Sequence, residues 1–101
     1  MVQIINNFLP EYTYKELKKT MFSSEIPWFS KSGTVEDKSK DINWFSHCLY
    51  NEFRPGSDLF PTTLDFIKKL NVSALIEIRA NLSLKTDKDY KTIWHTDYPY
   101  K

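Results

Sequence analysis

The sequence has one cysteine, Cys48, in 101 residues, which excludes a fold held together by disulfides within the chain. A lone cysteine also fits a reducing compartment, so a cytoplasmic location is expected. An excess of charge of one sign is missing too: 14 basic and 13 acidic residues leave a net charge of +1. No overall field is present to draw in DNA, RNA or an anionic membrane. No apolar run approaches the roughly 18 residues of a membrane span. The opening Met1 to Tyr12 has no basic flank with a long apolar stretch behind it, so no signal peptide is expected. Histidine is scarce, with His47 and His95 the only two.

Against these absences stand a 41% hydrophobic and a 16% aromatic content, with Trp28, Trp44 and Trp94 spread along the chain. That is enough for a core and argues against disorder. The length suits a single domain over residues 1–101 with a modest core.

Periodicity predicts an alternation of helices and strands. Gln3 to Leu9 is short, apolar and β-branched, and reads as a strand or an extended lead-in. Pro10 suits the start of a helix, where its missing N–H costs nothing. Tyr14, Leu17 and Met21 then recur at helical spacing opposite Lys15, Glu16, Lys18 and Lys19, giving a helix near residues 11–22. Ser30 to Asp41 is polar and reads as a hairpin or loop, and Trp44 to Tyr50 as a strand. Pro55 and Gly56 break the chain. Ser57 or Thr62 then caps a second helix near 58–70, with Phe60, Leu64, Ile67 and Leu70 as its stripe and Asn71 as its end. Ala74 to Leu82 is the clearest strand: Ile76, Ile78, Ala80 and Leu82 share one face, and Glu77, Arg79 and Asn81 the other. A charged connector, Lys85 to Lys91, leads to an extended Ile93 to Asp97. The expected architecture is α+β, with two helices on one face of a mainly antiparallel sheet. Ala74 to Leu82 should be its centre, with Leu64, Ile67 and Leu70 against Ile76 and Ile78.

The chemistry concentrates in Trp94-His95-Thr96-Asp97. Residues two apart on a strand project from one face, so an imidazole and a carboxylate there can chelate one metal ion. With a second histidine from elsewhere they form a facial triad with open positions for a co-substrate and O₂. On spacing alone the plainer reading is a strand-end histidine hydrogen-bonded to a neighbouring carboxylate. His47 shares a strand face with Phe45 and Leu49 and reads as a hydrogen-bonded core or edge residue before it reads as a ligand. Cys48 reads as a small buried hydrophobe. The aromatics read as core, with Tyr12 and Tyr14 in the first helix. Arg79 has two readings of equal weight: pairing with Glu77 or another acid, or lining a cavity.

The run Ala74-Leu75-Ile76-Glu77-Ile78-Arg79-Ala80-Asn81-Leu82, a charged connector, and then Trp94-His95-Thr96-Asp97-Tyr98-Pro99-Tyr100 resembles the Fe(II)- and 2-oxoglutarate-dependent oxygenase superfamily. The similarity is to its prolyl 4-hydroxylase-like branch and its small phage-type members. Ile4-Ile5-Asn6-Asn7-Phe8-Leu9-Pro10 before a helix is similar to how those proteins begin. The resemblance implies the N-terminal part of a double-stranded β-helix (a jelly-roll or cupin-like fold), with the barrel incomplete in this chain. It places His95 and Asp97 at the first two metal-ligand positions, and Arg79 and Asn81 on a strand bordering the co-substrate cavity. The family's distal histidine, and the basic residue after it that anchors 2-oxoglutarate, have no counterpart in these 101 residues.

The activity so implied is a hydroxylase-type oxidation of a C–H bond coupled to decarboxylation of 2-oxoglutarate. Its requirements are Fe(II), O₂ and 2-oxoglutarate, with ascorbate as an auxiliary reductant, and a peptidyl substrate is the first choice by analogy. The 101-residue chain by itself is expected to be inactive. The alternative is a non-catalytic module, truncated or half of a split protein, that binds a partner through an exposed sheet edge. A dimer or a complementing C-terminal half would be the partner, and neither a nucleic acid nor a membrane is indicated.

Overall fold

The computed structural model describes residues 2–32, 43–85 and 87, as helices α1 (Glu11–Met21) and α2 (Leu64–Leu70) and strands β1 (Phe29–Ser32), β2 (Asn43–Asn51), β3 (Arg54–Pro55) and β4 (Glu77–Ser83). A 3₁₀ turn, Phe60–Thr63, leads into α2. The class is α+β, with two helices and an open antiparallel sheet in which β2 pairs with each of the other strands. Among the described residues the centre is therefore β2, and the expectation that Ala74 to Leu82 would be central is corrected for these strands. Among the described strands β2 is the longest, and its nine residues serve β1 and β3 at different points along its length. The chain divides into two compact units, Met1–Pro27 with Cys48–Arg79, and Trp28–His47 with Ala80–Lys101.

In the first unit α1 begins where the sequence predicts. Pro10 is its N-cap, with a non-helical ψ of 147°, and its carbonyl accepts the Tyr14 N–H at 3.0 Å. Glu11 in the first turn and Lys18 and Lys19 in the last suit the helix dipole, and Glu11 pairs with Lys15 at 2.9 Å. The helix ends as Ser23 turns its hydroxyl onto the Thr20 carbonyl at 2.8 Å. Its buried face differs from the predicted stripe. Tyr14 is exposed, whereas Thr13 is buried and Leu17 and Met21 are half-buried. The cause is a tertiary hydrogen bond, Thr13 Oγ1 donating to Asp65 Oδ2 at 3.1 Å, which satisfies the hydroxyl that this rotation buries.

Gln3 to Leu9 forms no strand. The chain turns at Asn6 and Asn7, and Asn7 takes a φ of 52°, which asparagine tolerates better than most residues. Phe8 then meets Phe66 edge-on at 6.3 Å between ring centroids, with the Lys69 ammonium 4.9 Å above the Phe8 ring.

The second helix is shorter than predicted. Thr62 and Thr63 do not cap it; each hydroxyl donates back to a carbonyl, Leu59 and Phe60 respectively, at 2.7 Å. Ser57 accepts the Leu59 and Phe60 N–H groups through its side chain and carbonyl. This local bonding holds residues 60–63 in a 3₁₀ turn, and the α-helix starts only at Leu64. Asn71 ends it as expected, in the left-handed region at φ 52° and ψ 50°, its N–H shared between the Ile67 and Lys68 carbonyls. Leu64 and Leu70 are 41% and 47% exposed, so the expected packing of that stripe on Ile76 and Ile78 is corrected: Thr63 is buried in its place. The core of this unit is Leu49 and Ile26 with the two threonines Thr13 and Thr63.

At the β2–β3 corner Tyr50 pairs with Pro55 and Asn51 with Arg54, which leaves Glu52 and Phe53 as a two-residue loop. The Gly56 N–H bonds to the Leu49 carbonyl at 3.0 Å, and a Cβ there would stand 3.3 Å from the Cys48 carbonyl oxygen, tighter than ordinary contact. Tyr50 stacks obliquely on Phe60 at 5.3 Å.

In the second unit β1 and β2 pair antiparallel, Phe29 opposite Ser46 through Ser32 opposite Asn43. Residues 30–32, read as the start of a hairpin or loop, belong to this ladder. Ser46 and His47 are buried, and Phe29 is exposed.

Candidate functional site

Four residues carry the predicted site. His95 and Asp97 lie outside the described residues, as does the extended Ile93 to Asp97. Arg79 and Asn81 lie on β4, two apart and therefore on one face. The strand starts at Glu77, three residues later than Ala74, and clean alternation appears only at its end, where Asn81 and Ser83 are exposed and Leu82 half-buried.

The Arg79 guanidinium turns along its own strand. Its Nη1 stands 3.8 Å from Glu77 Oε1, with both side chains about three-quarters buried. At that separation the contact is ionic and not a hydrogen bond. This contact is the pairing with Glu77 that was one of the two readings of Arg79. Asn81 faces solvent.

His47 is buried in β2, in keeping with the core reading. Cys48 is exposed, which corrects the expectation of a buried hydrophobe. Strand alternation explains both: His47 and Leu49 turn inward and Cys48 outward, its Sγ 3.6 Å from the Tyr50 carbonyl oxygen. The reading of the aromatics as core is corrected as well, since Tyr12, Tyr14, Phe22, Phe29 and Phe53 are all more than half exposed. Among the described residues no three histidine, cysteine, aspartate or glutamate side chains come together as a metal site.

Sequence reasoning missed the link between Thr13 and Asp65. The two are 52 positions apart, and neither belongs to an apolar stripe, so no periodicity signals their meeting. No protein-family model, no curated protein and no solved structure matches this chain.

Proposed function

We propose that this chain belongs to an Fe(II)- and 2-oxoglutarate-dependent oxygenase of hydroxylase type, with His95 and Asp97 as two metal ligands and Arg79 and Asn81 beside the co-substrate. The observation that carries the reading is β4: residues 77–83 form a sheet strand with Arg79-x-Asn81 on one face, shortly before His95-x-Asp97 in the sequence. The α+β class and the helix that follows Pro10 support it. The reading extends to a jelly-roll barrel, of which the open sheet would be a part, and to a peptidyl substrate by analogy with the family.

An imidazole and a carboxylate match the donor preference of Fe(II), and bound iron would supply the activation of O₂. The chain's own part would be to hold the ion at His95 and Asp97 and to border the cavity with β4.

The test is titration of the chain with Mn²⁺ in place of Fe(II), followed by water-proton relaxation. Weak saturable binding is expected, because water must fill the positions that two protein ligands leave open. His95→Ala should remove it and leave the circular dichroism spectrum unchanged. Identical titrations for the two proteins would overturn the reading. A second reading, a non-catalytic module that binds through a sheet edge, is favoured by one observation: β1, β3 and β4 each have β2 as their only strand neighbour among the described residues. Succinate release in the presence of Fe(II), ascorbate and 2-oxoglutarate separates the two when measured on a version extended by the next stretch of its genetic locus, since the 101-residue chain by itself is expected to be inactive and only an oxygenase produces succinate.

A further inference from the structure

Between α1 and the segment from the 3₁₀ turn into α2 lies an open groove of about 300 Å³. Its lining combines two acids, a base and an aromatic ring. α1 contributes Tyr12 and Glu16; α2 contributes Leu64, Asp65 and Lys68.

The charges are placed but not neutralised by one another. Glu11, on the same helix, pairs with Lys15, yet Glu16 has no ion partner among the described residues although Lys19 follows at helical spacing. Lys68 likewise has none, although Asp65 precedes it by three positions. Asp65 is held across the groove by Thr13, a residue 92% buried, whose hydroxyl takes Oδ2 and leaves Oδ1 without a hydrogen bond among the described residues. One wall is thereby fixed to the other at the point where the carboxylate sits. Tyr12 is 75% exposed, and its ring offers a face to an apolar or cationic group.

The geometry points to a binding site in this groove for a small zwitterion of the amino-acid class with an apolar side chain. Its ammonium would meet Glu16 and Asp65, its carboxylate Lys68, and its side chain Tyr12 and Leu64. Size favours a single amino acid over a stretch of polypeptide, because the volume lies at the small end of ligand pockets. A simple amine would leave Lys68 facing a cation, and a simple carboxylate would meet two acids. A ligand with both charges meets each of these side chains with its opposite. The inference stands on the first unit alone and is independent of the oxygenase reading.

The experiment is a titration of the ¹⁵N-labelled chain with L-leucine, followed by amide shifts. The groove is open to water, so a dissociation constant on the order of a millimolar is expected, with saturable shifts confined to α1 and residues 60–68. N-acetyl-L-leucine lacks the ammonium and L-leucinamide lacks the carboxylate, and each should bind about tenfold more weakly, the loss of one charge-assisted hydrogen bond. Lys68→Met should weaken leucine and leave leucinamide unchanged, while Glu16→Gln should weaken both. Absence of saturable shifts at concentrations of order 10 mM would overturn the proposal. So would equal binding of leucine and leucinamide, or shifts mapping elsewhere. The analogue comparison uses the unaltered chain and does not depend on how any variant folds.

Discussion

Glu52 and Phe53 fill the two loop positions of the β2–β3 corner with φ of 48° and 67°, where glycine or asparagine is the usual choice. A left-handed conformation costs an ordinary residue about 1–2 kcal/mol, and Phe53, 79% exposed, regains little of that by burial. The corner is held by its flanking pairs and by the Glu52 N–H, which bonds to the Ile76 carbonyl at 3.2 Å. Replacing Glu52 with Asn and Phe53 with Gly should therefore raise stability by about 1 kcal/mol, read as a higher urea midpoint at unchanged slope. A lower midpoint would mean that Phe53 contributes contacts its exposure does not suggest. Asn71 shows the same geometry solved by the favoured residue: its left-handed backbone ends α2, and the sequence signals it directly.

At the scale of elements, β2 holds the fold. Leu49, 2% exposed, is its inward anchor, and truncation to alanine should cost about 2–5 kcal/mol. Ile78 on β4 is only half-buried, so the same truncation there should cost less, about 1–2 kcal/mol in proportion to the area withdrawn from water. Denaturant midpoints for the two variants check the order, and an Ile78 variant that loses more than the Leu49 variant would mean that Ile78 is packed more tightly than its exposure indicates. The apolar alternation of residues 76–82 gave β4 its apparent claim to the centre. Alternation reports which residues share a face; how many strands flank that face is set by pairing, which the alternation of one strand does not encode.

For the whole molecule, exposed apolar surface predicts association. Val2, Ile4, Phe22 and Phe53 are each at least 79% exposed and offer apolar area to a second copy of the chain. Sedimentation velocity should show self-association as protein concentration rises, reduced by Ile4→Lys and further by Phe22→Lys. A single monomeric species at all concentrations would set this aside. The open sheet adds to the expectation, since unpaired strand edges are templates for another chain.

The sequence by itself determined the α+β class, the start of α1 at Pro10, a helix near 11–22 that is observed as Glu11–Met21, a strand over Trp44 to Tyr50 that is observed as Asn43–Asn51, and the stop at Asn71. These are local decisions, made by a missing N–H, by helical or alternating spacing and by the backbone tolerance of asparagine. The candidate ligands His95 and Asp97 rest on a local signal of the same kind, a spacing of two, and lie outside the described residues. Tertiary structure alone decided which face of α1 is buried, because Thr13 is drawn inward by an acid 52 positions away. It also decided that Leu64 and Leu70 stay exposed, that Cys48 faces outward, and that Arg79 lies against Glu77. Each of these depends on what stands opposite a side chain in space. A sequence pattern gives the direction in which a residue points relative to its neighbours; the partner that direction meets is supplied by the fold.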